Sequence, residues 1–128
     1  MTGWKFSDAW FATAVAIQDT PCNLTDVIAA GDALDHAIFT HEEIRQAVRR
    51  LLGAGLLWVS DDGKFGLTPA GRNLLGRRKG EWFHQVDSVL GLLRNVPVDE
   101  LAWSLTEEEV RSAYLTYMQS GEPDTRGP

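Results

Sequence analysis

The chain has 128 residues, 44% of them hydrophobic, enough for one globular core and too few for two comfortable ones. Its single cysteine, Cys22, excludes an internal disulfide and a thiolate zinc cluster, so nothing calls for an oxidising compartment and the cytoplasm is the expected location. The net charge of −6 argues at first sight against nucleic acid, but the charges are segregated.

Residues 1–39 carry one basic and five acidic side chains, residues 40–80 eight basic and four acidic, and residues 81–128 three basic and nine acidic. Fields between charges are local over about 10 Å at moderate salt. The middle third can therefore attract phosphate within an acidic protein.

Ser7 is placed to cap a first helix over residues 8–18 whose side chains leave only a narrow polar side, which predicts a mostly buried helix. Its apolar stretch, Trp10 to Ile17, is eight residues long, far below the ~20 that span a bilayer. Only Lys5 precedes it as a basic residue, which argues against a secretory signal. Residues 19–23 read as a turn. Asn23, with Asp26 three positions on, opens a second helix with Leu24, Val27, Ile28, Gly31 and Leu34 inward, ending near Asp35.

Thr40 and Glu43 have the spacing of a capping box and fix the start of a third helix, residues 41–54. Ile44, Ala47, Val48, Leu51 and Leu52 form its apolar stripe, and Gly55 is placed for a left-handed C-terminal cap. The opposite face carries Glu42, Gln46, Arg49 and Gly53, flanked by Arg45 and Arg50.

A hairpin is predicted over residues 57–67. Asp62-Gly63 suits a two-residue type I′ turn, which sets Asp61 opposite Lys64, Ser60 opposite Phe65 and Trp58 opposite Leu67. Thr68 and Pro69 then serve as N-cap and first residue of a fourth helix, with Arg77, Arg78 and Lys79 at its negative end. A fifth helix over 81–95 carries Trp82, Phe83, Val86, Val89, Leu90 and Leu93 on one side and stops before Pro97. Thr106 and Glu109 form a second capping box, opening a sixth helix with Val110, Ala113, Tyr114, Tyr117 and Met118 inward. Residues 120–128 lack an apolar anchor and are expected to be a disordered tail.

The run TxxEIxxAVxxLLGAGLLxVxDxGKFxLTPAGRxLL, Thr40 to Leu75, resembles the recognition-helix and wing segment of bacterial winged helix-turn-helix transcription regulators of the MarR and PadR kind. The specific part is GAGLL, a short hairpin, then LTPAGR. The close likeness covers about 35 of the 128 residues. It implies a mainly α fold with a small β-hairpin: a winged-helix domain over 1–80 with C-terminal helices over 81–119 that either build a dimer or cap the core.

The same resemblance implies sequence-specific binding of double-stranded DNA, with the third helix in the major groove and transcription regulation as the outcome. Thr40, His41, Arg45, Gln46 and Arg49 are then the candidates to face bases, and Arg50 to meet phosphate. Lys64 at the wing tip, Arg72 and Arg77 are further backbone candidates, although Arg77 to Lys79 serve equally well to satisfy helix-end carbonyls. A homodimer would present two such helices about one DNA turn apart, and the apolar stripe of the fifth helix motivates one.

Asp61 and Asp62 at the wing tip, with Glu42 on the outer helix face, oppose phosphate. They motivate a second reading, a winged-helix module that binds protein instead of DNA. DNA binding needs Arg45, Arg49, Arg50 and Arg72 to form one patch, with the wing-tip carboxylates turned away. No nucleophile motif, phosphate loop or closed metal-ligand set is legible, so no enzyme activity, cofactor or metal is expected. Asp35, His36 and His41 read as a loop with a capping histidine rather than a metal site. Trp10, Trp58, Trp82 and Trp103 read as core in preference to an effector pocket.

Overall fold

The computed structural model describes residues 3–18, 20–81 and 84–121. Six helices and one two-stranded antiparallel hairpin follow in the order α1 (Phe6–Ala16), α2 (Leu24–Asp35), α3 (His41–Gly53), β1 (Leu57–Val59), β2 (Phe65–Leu67), α4 (Pro69–Leu75), α5 (Gln85–Leu93) and α6 (Glu107–Gly121). No helix among the described residues is long and apolar enough to cross a membrane.

The first helix is the axis of the molecule. Trp10, Phe11, Ala14 and Val15 are buried with nearly every neighbour on α1, and the helix packs against α2, α3, α4, α5 and β2. A helix that is apolar almost all round has to be wrapped on every side, which arranges the other elements about it. It starts at Phe6 and not after Ser7, because the Asp8 carboxylate reaches back to the Lys5 N–H (2.8 Å) and puts Lys5 at the N-cap.

The two expected capping boxes of the next helices are present. Asn23 Oδ1 accepts the Asp26 N–H (2.8 Å) and the Asp26 carboxylate accepts the Asn23 N–H (3.1 Å). Thr40 Oγ1 accepts the Glu43 N–H (3.1 Å), with Glu43 returning to the Thr40 N–H (2.9 Å). Gly55 follows α3 at φ +75, the left-handed region in which a side chain is strained.

The hairpin differs from expectation by one residue. β1 and β2 pair Leu57 with Leu67, Trp58 with Gly66 and Val59 with Phe65. The loop has three residues, because the Gly63 N–H closes a turn on Ser60 O (3.0 Å) and the Ser60 N–H bonds Lys64 O (2.8 Å). Gly63 at φ +80 forms the bulge, and Asp62 need not enter the left-handed region that a type I′ turn demands. Ser60 Oγ accepts the Lys64 N–H (3.0 Å) and donates to Asp62 Oδ1, which holds the tighter loop. Trp58 therefore lies over Gly66, where an added Cβ would meet the indole at 2.2 Å.

The inner strand, β2, is attached on its other edge to the α1–α2 turn. The Phe65 N–H bonds Cys22 O (2.7 Å) and the Cys22 N–H bonds Phe65 O (3.0 Å). From Phe65 a series of ring contacts crosses the core, to Phe11 at 5.4 Å and on to Phe39 at 5.6 Å, with Trp10 stacked on Phe39 at 3.8 Å. Thr68 caps α4 by accepting the Gly71 N–H (3.0 Å), as expected of Thr-Pro.

The fifth helix is shorter than predicted, and Trp82 and Phe83 lie outside the described residues. Val86, Val89 and Leu93 are buried, and α5 packs on α1, so these three residues of the stripe cap the molecule's own core. α6 begins as expected and packs on α2, with Tyr117 donating to Asp32 (2.6 Å). Met118, expected inward, is exposed together with Leu115 because the α2 contact takes the side of α6 that carries Ala113. The helix continues to Gly121, past the expected start of the tail at residue 120, and the remainder of that tail lies outside the described residues.

Among the described residues one ion pair is inside. Arg50 is 5% exposed and donates through Nη1 to the fully buried Asp8 (3.0 Å), joining α3 to the first turn of α1. Removing one member of such a pair strands the other charge, so Arg50→Ala is expected to cost about 3–5 kcal/mol in urea unfolding. A cost below about 1 kcal/mol would mean that the carboxylate finds water instead. Burial, reinforced by the Asp26 carboxylate, pushes the Cys22 thiol up from 9.0 to about 11. The unfolded chain then releases this proton first as pH rises, so stability is unaffected below about 9 and falls between 9 and 11. Unfolding curves across that window are expected to show a decline that is smaller in Cys22→Ala, the remainder coming from Tyr117, which its bond to Asp32 also holds above its ordinary value.

Candidate functional site

The inner stripe of α3, Ile44, Ala47, Val48 and Leu51, is fully packed, which fixes the opposite face outward. That face does not stand bare. The connector between α5 and α6, residues 96–105, runs antiparallel along it as an extended strap.

The strap is tied down at successive positions. Val96 O accepts the Trp4 indole N–H (2.8 Å). The Asp99 backbone lies where Gly53 has no side chain, and a Cβ there would stand 2.4 Å from the Asp99 carbonyl. The Leu101 N–H bonds Arg49 O (3.0 Å), and Arg49 Nε donates in return to Trp103 O (2.8 Å). At the N-terminal end of the helix, Leu105 O pairs with His41 Nε2. Trp103 then enters the ring series by meeting Phe65 edge-on at 6.1 Å.

These contacts redistribute the residues expected to read or hold DNA. Arg50, the expected phosphate ligand, is withdrawn from the surface because Asp8 binds it within the core, and its Nε is 3.7 Å from Glu100 of the strap. Arg49 and His41 are half-buried and bonded to strap carbonyls. Thr40 is occupied as a cap. Arg45 and Gln46 both donate to the exposed Glu42, Arg45 through Nε (3.1 Å) and Nη2 (2.5 Å) and Gln46 at 2.7 Å. Those bonds, the Arg45 one foremost, hold the Glu42 carboxyl below the usual carboxylate range.

The remaining candidates sit elsewhere. Lys64 is exposed beside the hairpin loop. Arg72 is exposed on α4, with Nη1 donating to Leu67 O (3.0 Å), and Arg77 is exposed just beyond that helix. Of the basic run, Arg78 does satisfy a helix-end carbonyl, Leu75 O (2.8 Å), and also bonds Gln85 (2.9 Å). With Arg50 buried, Arg45, Arg49, Arg50 and Arg72 do not form one surface patch.

Beside α3 two depressions open. A wide groove of about 530 Å³ lies between Ile38 to His41 and the start of α6, including Val110 and Tyr114. A narrower cavity of about 350 Å³ lies between the hairpin loop and the strap. Of the described tryptophans in that set, Trp10 is core, Trp58 covers the hairpin and Trp103 lines the narrower cavity, and Trp82 lies outside the described residues. His36 ends α2 in the left-handed region, and among the described residues no three His, Cys, Asp or Glu side chains are grouped to hold a metal.

Sequence reasoning missed the strap. Its only signal is Trp103-Ser104-Leu105, an apolar, polar, apolar alternation between Pro97 and the second capping box, and Trp103 and Leu105 are indeed turned inward. No family model, curated protein or solved structure matches the chain, whose function has to be argued from its own residues.

Gly53→Ala tests the strap directly. Alanine is favoured over glycine inside a helix by about 1 kcal/mol, yet here its methyl meets backbone that must shift. Amide hydrogen exchange at Leu101 is expected to accelerate about tenfold or more in this variant while the α1 amides stay protected. Unchanged exchange at Leu101 would mean that the strap tolerates the methyl and is not seated as described.

Proposed function

We propose that this chain is a winged-helix protein-interaction module and that its third helix is not a reader of DNA. The observation that carries this is the composition of the layer over α3. Along the C-terminal half of that helix the outermost residues belong to the strap: Val98 and Leu101, 36% and 55% exposed, beside Asp99 and Glu100. Over the N-terminal half the exposed side chain that organises its neighbours is Glu42. An apolar and acidic surface is suited to a protein partner and repels phosphate.

DNA binding would require the opposite. Affinity for a duplex rests on cations free to displace the counterions of its phosphates. On α3, Arg50 is neutralised by Asp8, Arg45 by Glu42, and Arg49 is engaged with a carbonyl. The acidic sum of the whole chain, −6, points the same way. The order of three helices, a hairpin and a further helix supports the winged-helix part of this reading, and folds of this kind host many functions.

Two measurements test the proposal together. Fluorescence anisotropy of a mixed-sequence duplex at low salt is expected to give no salt-dependent binding, in the native protein and in Gly53→Ala alike. Cross-linking through a photoreactive group beside Leu101 is expected to join the protein to a discrete partner, with the adduct lost in a Val98→Glu, Leu101→Glu variant that melts normally. Steeply salt-dependent duplex binding that disappears in Arg45→Ala, Arg49→Ala would overturn the proposal in favour of DNA.

A further inference from the structure

The narrower cavity has the makings of a specific receptor, and we propose that it takes an arginine side chain from the protein partner inferred above. The cavity, about 350 Å³, lies at the lower end of the range for ligand pockets, about 300–1,000 Å³, a size for one long side chain. Its apolar lining comes from Leu24, Val59, Phe65, Trp103 and Leu105, and its acidic lining from Asp61, Asp62 and Glu109. No cation is among the residues that line it. An aromatic and aliphatic floor under carboxylates is complementary to a flat cation on an apolar stem: guanidinium stacks on an indole and donates to carboxylates in a fork, while its methylenes cover apolar surface.

The acids are not all committed elsewhere. Asp62 accepts from Ser60, which holds its carboxyl below the usual range and turns it into the hairpin loop, with a smaller contribution from the Lys64 charge. Glu109 uses Oε1 for the Thr106 cap (2.9 Å to the backbone N–H, 3.1 Å to the hydroxyl), which leaves Oε2 available. Asp61 is exposed and has no side-chain partner among the described residues. The strap links this cavity to Val98 and Leu101, so a peptide that seats an arginine here can lay apolar neighbours on that exposed pair. This explains a protein partner better than a free amino acid. It also gives the acidic hairpin tip a role, the feature that fits least with a wing lying against phosphate.

The inference rests on the protein-interaction reading, and its test separates the two. The ¹⁵N-labelled full chain is titrated with a capped heptapeptide of threonine and valine bearing one central arginine, with the same peptide bearing citrulline, the neutral isostere, and with N-acetylarginine amide. The expected result is saturable shifts confined to Ser60 to Gly63 and to Trp103, including its indole N–H, with affinity at least about tenfold lower for citrulline and for the isolated amino acid. The same loss is expected in Asp61→Asn, Glu109→Gln. Glutamine preserves the capping box of α6, so that variant folds and the loss reports charge.

Equal binding of the arginine and citrulline peptides would overturn the arginine assignment, as would equal binding of N-acetylarginine amide, which would make this a small-molecule site. If neither peptide shifts these residues while the cross-linked partner at Leu101 is still captured, the cavity proposal falls and the interaction reading stands. Absence of both the shifts and the adduct would bring down the two together.

Discussion

The buried pair of Asp8 and Arg50 is the constraint on which the surrounding arrangement depends. Asp8 is fully enclosed, and its Oδ2 accepts both the Lys5 N–H that starts α1 and the Arg50 guanidinium from α3. Taking these charges out of water costs several kcal/mol per ion, which their attraction offsets only with good geometry. The pair therefore contributes more to the relative setting of two helices than to net stability. It also sets Arg50 Nε 3.7 Å from Glu100, so the strap passes α3 beside this buried cation.

This explains why the charge pattern along the chain is a poor guide to its surface. The middle third has a surplus of cations, and two of those on α3 are met in space by groups from the other thirds: Arg50 by Asp8 from the first and, at longer range, Glu100 from the last, and Arg49 by the carbonyl of Trp103. Glu42 completes the matching within α3 itself. On α3, cations adjacent in sequence are engaged by partners in space, and the layer over that helix is acidic and apolar.

Much of the fold was legible because its signals are local. Asn23, Thr40, Thr68 and Thr106 mark helix starts by hydrogen bonds spanning three residues, and Gly55 and Gly63 mark ends and turns by positive φ. What failed was non-local or decided by a single atom. Arg49 and Arg50 are adjacent in sequence, and nothing on α3 alone tells which one faces Asp8, forty-two residues earlier. The hairpin register turned on the Ser60 hydroxyl, which binds the Lys64 N–H and stabilises a three-residue loop over the two-residue one that Asp-Gly suggests. The strap has no helical periodicity and only a brief alternation, so its seat on α3 follows from Gly53 and Arg49 once the fold is known. Val86, Val89 and Leu93 of α5 are buried on α1, whose depth was not visible from their own spacing.

The seating of the strap has a consequence in time as well as in space. Arg49 and Trp103 are 54 residues apart, so the outer face of α3 can be completed only after most of the chain has been made. Chains emerge from the ribosome N-terminus first. Until residues 96–105 arrive, Arg49 and the backbone at Gly53 have no strap to cover them. Closing so long a loop is slow compared with forming the local turns. Completion of the α3 surface therefore waits on a segment made 54 residues after the arginine that it covers.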